Sequence, residues 1–215
     1  MDESVREASD LRDRLKVEGE EFLAEQFLKH RERLWRIVRF RLDRRLSGRV
    51  DPDDVLQECW IATSQRLDHF LENESLSLFV WFRLIAGQTL VDIHRRHLGA
   101  KMRDAYREVG MHGPAWSQAT SVSIAAQFLG NFTSPSQAAI REETARRLEE
   151  AVESMDAIDR EVVAMRHFEE LTNIEVAEVL GIQQKAASIR YVRAIRRLKD
   201  ILQELPGFGT GADDG

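Results

Sequence analysis

Apolar residues recur every three or four positions through most of the chain, which is the spacing of helices that bury one face. The pattern predicts a first helix over residues 20–46, ended by a Ser-Gly pair. A second helix is predicted after Asp51, because an N-capping aspartate, a proline at the first helical position and two further acids follow one another there. A third helix is predicted from about Ser77 into the basic cluster at residues 94–97. We expect these helices to form one bundle over residues 20–103, preceded by an acidic N-terminal extension over residues 1–19.

Helical periodicity is weak over residues 104–136, where Gly, Pro, Ser and Thr cluster, so this stretch is predicted to be a linker. Its apolar residues, Trp116 and Phe128 among them, leave open whether part of it forms a short helix or docks on a surface. The helical pattern resumes over residues 137–205, which we expect to form a second domain. A flexible tail is predicted for residues 206–215. The sequence thus predicts an all-α protein of two helical domains joined by a linker.

A helix-turn-helix is predicted within the second domain. Thr172 can cap a short helix with Glu175 at its third position, Gly181 can close that helix in the left-handed conformation, and Gln183 or Gln184 can open a longer basic helix. The first residues of such a second helix reach base edges in the major groove, and basic residues farther along bind phosphates. The opposite side of the long helix is expected to pack through Ile189, Val192, Ile195 and Leu198. A basic amphipathic hairpin that does not bind DNA is the alternative.

Charge is distributed in blocks, although the formal net charge is 31 minus 37, or −6. Residues 29–49 carry nine Lys or Arg against two acids, residues 50–77 carry seven acids against one Arg, and residues 183–199 carry six basic residues and no acid. Separate basic and acidic faces with separate partners are one interpretation, and ordinary solvated helix faces are the other.

The sequence offers little to an enzyme. It contains no GxSxG nucleophile motif and no Walker lysine, and Cys59 is expected to be a small buried hydrophobe on the second helix. His94 and His97 lie three residues apart, but no third ligand is spaced nearby, so no metal is expected. We therefore predict no enzymatic activity and no cofactor.

The single cysteine and the acidic start of the chain bear on its location. A single cysteine can form neither an internal disulfide nor a cysteine-based zinc cluster, so the sequence favours a protein of a reducing compartment. No stretch approaches the roughly 18 apolar residues of a membrane-spanning helix. A cytoplasmic protein without membrane insertion is the expectation.

Three segments carry a family resemblance. Residues 160–198 resemble the minus-35-binding C-terminal domain of bacterial extracytoplasmic-function (ECF) sigma factors; the matching residues are Arg160-Glu161-Val162, Phe168-Glu169, Ala177-Glu178-Val179-Leu180-Gly181-Ile182, Arg190, Arg193-Ala194 and Arg197-Leu198. Residues 51–70 look like the family's helix that binds core polymerase, through Asp53-Asp54, Val55, Gln57-Glu58, Trp60 and Leu67-Asp68-His69-Phe70. Residues 81–96 are similar to its promoter-melting segment, through Trp81, Ile85, Ala86, Asp92, Arg95 and Arg96.

The resemblance implies an alternative RNA polymerase sigma factor that directs core polymerase to specific promoters and initiates transcription. It implies core-polymerase contacts at Asp53, Asp54, Gln57 and Glu58. It implies contacts with minus-10 DNA at Phe70, Trp81, Gln88, Asp92, His94, Arg95 and Arg96. It implies contacts with minus-35 DNA at Gln183, Gln184, Lys185, Ser188, Arg190 and Arg193.

The implied partners are core RNA polymerase, through the clamp helices of its β′ subunit, and promoter DNA. An anti-sigma factor is a further candidate partner, and the sequence leaves its existence open. The alternative function is that of a helix-turn-helix regulator that binds operator DNA without polymerase. Gln88 and the Lys185-Ala186-Ala187 run depart from the family pattern, so neither promoter sequence is carried over.

Overall fold

The computed structural model describes residues 3–46, 48–72, 75–97, 114–130 and 138–204. Every regular element within these ranges is a helix, which confirms the predicted all-α class. The chain divides into two compact units, Met1–Arg103 and Asp104–Gly215. Residues 104–113 and 131–136 of the predicted linker, and the predicted tail at 206–215, lie outside the described residues.

The first unit is built from four α-helices and one short 3-10 turn. These are α1 (Glu3–Arg41), the 3-10 turn (Arg44–Leu46), α2 (Pro52–Ser64), α3 (Leu67–Glu72) and α4 (Leu78–His97). The predicted start of α2 is confirmed: the Asp51 side chain accepts a hydrogen bond from the Asp53 backbone N–H at 2.8 Å, with Pro52 in the first turn. The core lies where α1, α2 and α4 meet, around the buried ring of Phe82, whose centroid is 5.3 Å from that of Phe27.

Helix α1 begins earlier than the predicted first helix and includes most of the acidic extension. It is kinked at Gly19, whose φ of 61° and ψ of −133° are accessible mainly to glycine. The kink separates residues 3–18 from residues 20–41. The first segment buries Leu15 in the first unit and exposes charged residues such as Asp13 and Glu18, so it is an amphipathic helix.

The second unit contains five α-helices. These are α5 (Pro114–Gly130), α6 (Ala138–Glu153), α7 (Ala157–Val163), which continues into a π-helical turn (Ala164–Phe168), α8 (Asn173–Leu180) and α9 (Gln184–Glu204). The predicted capping box of Thr172 and Glu175 is confirmed, as is the left-handed Gly181 with φ of 62°. The helix-turn-helix is therefore α8, the Gly181 turn and α9.

Helix α5 falls inside the stretch predicted as a linker. It packs against α6 and α7, and its buried Thr120 donates a hydrogen bond to the buried carboxylate of Glu161. Its weak periodicity has a simple cause: the segment contains no charged residue, so no polar face contrasts with the buried Ile124 and Leu129.

The predicted packing face of α9 is partly wrong. Ile189 and Val192 are exposed, and the helix instead packs through Ala187, Ala194, Leu198 and Ile201. Two of these are alanines, which allow the close approach of α9 to α7 and α8. A prediction based on the large hydrophobic residues of α9 therefore selects the face of Ile189 and Val192 and misses the buried face of Ala187 and Ala194.

Cys59 is buried in α2, as predicted, and we expect it to be unreactive in the native protein. Burial raises the pKa of its thiol from 9.0 to about 11, which lowers the thiolate fraction near pH 8 by about a hundredfold. Labelling with a disulfide reagent should be slow until guanidinium chloride unfolds the chain. Equal labelling rates in the native and unfolded protein would contradict this burial.

Candidate protein and nucleic-acid interfaces

Helix α2 presents an acidic and amide-bearing face to solvent. Asp54, Gln57 and Glu58 are all exposed, and they lie three or four residues apart, so they share one side of the helix. Ile61 extends this face by one turn and is 54% exposed. Sequence analysis missed Ile61, although its spacing from Gln57 and Asp54 is the signal that would have found it. An apolar group beside acids and an amide suits a basic protein surface better than DNA.

Two acids of the predicted polymerase-binding set also pair within the first unit. Asp53 accepts a hydrogen bond from Arg31 of α1, and Glu58 accepts one from Arg96 of α4. Both pairs are about half exposed, so each contributes between zero and about 1 kcal/mol to stability. Asp53 and Glu58 therefore belong to the exposed face of α2 and also link α2 to α1 and α4.

A pocket of about 440 Å³ lies where α3 meets the start of α4. The residues that line it are Arg66, His69, Phe70, Leu76, Trp81, Leu84, Ile85 and Gln88. The Phe70 and Trp81 rings stack with centroids 4.4 Å apart, and Arg66 donates a hydrogen bond to the side-chain oxygen of Gln88. The two rings are 3% and 6% exposed, so they form the buried floor of the pocket, and the exposed Arg66, His69 and Gln88 form its rim. An aromatic floor with an amide and a guanidinium at the rim can bind a planar polar ring by contact with the ring edge and by hydrogen bonds. Phe70, Trp81 and Gln88 were predicted from the sequence, and Arg66 and His69 were not.

The remaining predicted minus-10 residues do not line this pocket. Asp92 pairs with Arg95 at 3.6 Å along α4, and Arg96 reaches Glu58 instead. The prediction that His94 contacts DNA is wrong, because its side chain lies in the core with 1% exposure. Its Nε2 accepts a hydrogen bond from the Asp43 backbone N–H at 3.3 Å. Burial lowers the pKa of His94, so the ring is neutral at pH 7 and supplies no charge to this face.

In the second unit the start of α9 projects polar side chains outward. Gln183, Gln184 and Lys185 are exposed and Ser188 is partly exposed. The left-handed Gly181 turn ends α8 so that α9 begins within three residues, which leaves the first turn of α9 uncovered. The side chains there are amides, a hydroxyl and an ammonium, which are groups that hydrogen-bond base edges.

Asp159 anchors the middle of α9. Its side chain is 10% exposed and pairs with Arg190 at 3.0 Å and with Arg193 at 2.9 Å, the latter through two guanidinium nitrogens. The two arginines predicted to bind minus-35 DNA thus have an internal partner that fixes α9 on α7. Sequence analysis missed Asp159, which is one of many acids and is singled out only by its partners 31 and 34 residues away.

Two residues of the matching Arg160-Glu161-Val162 motif have structural roles. Arg160 donates to the backbone carbonyls of Val152, Glu153 and Met155 and so satisfies the end of α6. Glu161 binds Thr120 and holds α5. These two residues of the motif therefore hold α5, α6 and α7 together.

Metal-binding clusters and membrane-spanning helices are both absent from the described part of the chain. Within it, no group of three or more His, Cys, Asp or Glu side chains could hold a metal ion. No helix found there is long and apolar enough to cross a membrane.

Comparison with known proteins gives three likenesses. Residues 151–200 match the family model described as Sigma-70, region 4. A solved structure described as "Structure of CnrH in complex with the cytosolic domain of CnrY" is 20% identical, with a TM-score of 0.49 and coverage of 91% of this chain and 97% of that chain. The ECF RNA polymerase sigma factor SigW of Bacillus subtilis (strain 168) is 23% identical over 167 residues, which cover 77% of this chain and 83% of that protein.

The region 4 match includes α8, the Gly181 turn and α9 as far as Asp200. The alignment with SigW is too long to fall within either unit alone. These likenesses support an extracytoplasmic-function sigma factor with an alternative sigma factor role in transcription initiation.

Proposed function

We propose that this sigma factor joins core RNA polymerase to promoter DNA through three surfaces. The α2 face of Asp54, Gln57 and Ile61 binds the clamp helices of the β′ subunit. The pocket lined by Phe70 and Trp81 takes up an unpaired base of the minus-10 element. The exposed start of α9 reads the minus-35 element.

One observation carries the proposal: the exposed polar start of α9 is presented by a capped helix-turn-helix that lies within the sigma-70 region 4 match. Buried Asp159 supports it, because a helix held by a double ion pair enters the major groove as a rigid element. Gln183, Gln184 and Lys185 would then contact base edges, and the arginines farther along α9 would contact phosphates.

The pocket explains how strand opening can proceed without a catalytic residue. Taking a base out of the duplex costs a few kcal/mol of unstacking and unpairing. Stacking on aromatic side chains returns about 1–3 kcal/mol per base, and the contacts of the whole complex supply the rest. Base capture of this kind needs no ATP and no bond chemistry in this chain.

The charge of the chain favours dependence on polymerase. The net charge of −6 weakens the long-range attraction of the isolated chain to DNA, so its basic patches act only at short range. Polymerase would hold the minus-10 and minus-35 surfaces at a fixed separation, so that two modest contacts act as one strong contact. The same argument separates this proposal from an operator-binding regulator, which engages DNA unaided.

The test is transcription reconstituted from the purified chain and core polymerase, with the transcript starts mapped by sequencing. We expect a defined set of starts with shared elements upstream, and a shift of that promoter DNA by the holoenzyme. The chain alone should not shift the same DNA at equal concentration. Promoter binding by the chain alone, with no start that depends on it, would favour the regulator.

A further inference from the structure

Arg12 lies in the first segment of α1, outside the three segments whose motifs carry the family resemblance. Its side chain is directed into the first unit, and the residue is 9% exposed. Its Nη1 donates to the backbone carbonyl of Phe70 at 2.8 Å, and its Nη2 donates to that of Leu76 at 2.7 Å. Phe70 lies in the last turn of α3, and Leu76 lies near the end of the connection that leads to α4. One guanidinium therefore ties both ends of that connection together.

The same guanidinium lies over the Phe70 ring, 4.3 Å from its centroid. Trp81 stacks on this ring at 4.4 Å. Arg12 thus touches the aromatic floor of the pocket as well as the backbone that carries it. A cation over an aromatic ring stabilises the arrangement by about 0.5–2 kcal/mol, more when the pair is shielded from water.

Arg12 supports the pocket without entering it. Phe70 and Leu76 both line the pocket, whereas its described lining includes no residue of the segment 3–18. An element that blocked base capture would occupy the pocket, whereas Arg12 contacts it from behind the Phe70 ring. The contacts of Arg12 instead fix the distance between Phe70 and Leu76 before DNA arrives.

The local sequence brings Arg12 to this position. Leu15 follows it by three residues and is buried, which orients that face of the helix toward the core. The positive φ of Gly19 then redirects the chain into the second segment of α1. Arginine suits the position because its rigid fork offers donors to two carbonyls at once, which a lysine ammonium does not match.

We infer that Arg12 is a positioning residue for minus-10 base capture, acting through Phe70 and Leu76. This inference rests on the proposed role of the pocket. It makes the first segment of α1 part of the promoter-binding surface. Pocket side chains that are already fixed lose less conformational entropy when the base binds.

The experiment measures base capture directly with holoenzyme made from the full chain. Fluorescent single strands carry the minus-10 element of a mapped promoter, either intact or with one abasic site at each position in turn. Wild-type holoenzyme should bind the intact strand about 5- to 100-fold more tightly than one of the abasic strands, as expected for a single stacked base. Arg12→Ala should reduce that ratio to about twofold or less, with affinity for the abasic strand unchanged within a factor of about two.

The ratio of the affinities for the intact and abasic strands separates a positioning role from a simple loss of folded protein. A lower fraction of active protein would weaken the apparent binding of both strands equally. Arg12→Lys should give a ratio between those of the wild type and Arg12→Ala, and it provides the same measurement if the alanine variant assembles poorly. Arg14→Ala is the matched control, since Arg14 lies on the same helix, pairs with Glu18 at the surface and lies over the Phe22 ring, away from the pocket. Its ratio should equal that of the wild type.

The outcomes distinguish the inference from the proposed function. If Arg12→Ala keeps the wild-type ratio, or loses affinity equally for all strands, the positioning role is overturned and the pocket is unaffected. If wild-type holoenzyme binds every abasic strand as tightly as the intact strand, the pocket itself is misassigned. The role of Arg12 is then overturned with it.

Discussion

Asp54→Arg combined with Ile61→Glu is expected to abolish binding of the chain to core RNA polymerase. Both side chains are exposed on α2, so the substitutions should leave the core of the first unit intact. The first change reverses a charge that would face a basic partner, and the second places a carboxylate where an apolar contact would be buried. Central interface residues of this kind cost about 2 kcal/mol or more each when lost, so affinity should fall at least about a hundredfold.

The measurement is equilibrium binding of labelled chain to core polymerase, with circular dichroism and thermal unfolding as checks on folding. Glu21→Arg combined with Leu28→Glu is the matched control, because it makes the same kinds of change at exposed positions of α1. The control pair should bind like the wild type. Equal affinity for the α2 variant and the wild type would remove α2 from the interface.

Glu58 is a poorer position for this test, even though the sequence places it in the same set. It pairs with Arg96 of α4, so its reversal disturbs an internal contact as well as the exposed face. The same holds for Asp53 and Arg31. Asp54 and Ile61 give a cleaner result, because Asp54 makes no ion pair among the described residues and Ile61 is uncharged.

The parts of the fold that the sequence predicts are those set by neighbouring residues. The Asp51 cap of α2 is confirmed, and so is the capping box of Thr172 with Glu175. The left-handed Gly181 is confirmed as well. Each depends on residues within four positions of one another, so the local spacing carries the information.

The parts that sequence analysis missed depend on partners distant in the chain. Arg12 meets the Phe70 carbonyl 58 residues away, and Asp159 meets Arg190 31 residues away. Neither residue stands out among 31 basic and 37 acidic side chains. His94 was misplaced for the same reason, since a basic cluster suggests an exposed face while burial against Asp43 is a property of the fold.

Exposed groups at the start of α9 are expected to determine minus-35 recognition. Replacing Gln184 and Lys185 together by alanine should lower transcription from a minus-35-dependent promoter at least tenfold, because each lost base contact costs about 1–3 kcal/mol. Alanine favours helix, so α9 should remain folded. Arg190 and Arg193 are avoided here, since their loss would also release Asp159 and loosen α9.

Affinity for core polymerase should be unchanged in this double variant. Transcription from two templates, with and without a minus-35 element, shows whether the defect lies in minus-35 recognition. Transcription from a template with a premelted minus-10 region and no minus-35 element should match that of the wild type.

Lys199→Ala is the control, because Lys199 is an exposed cation near the other end of the same helix. Its loss removes a similar charge from a position that base-edge contacts do not reach, so at most a small and sequence-independent weakening is expected. An equal defect on both templates would mean that the variant acts through core binding or folding and that α9 does not read the minus-35 element.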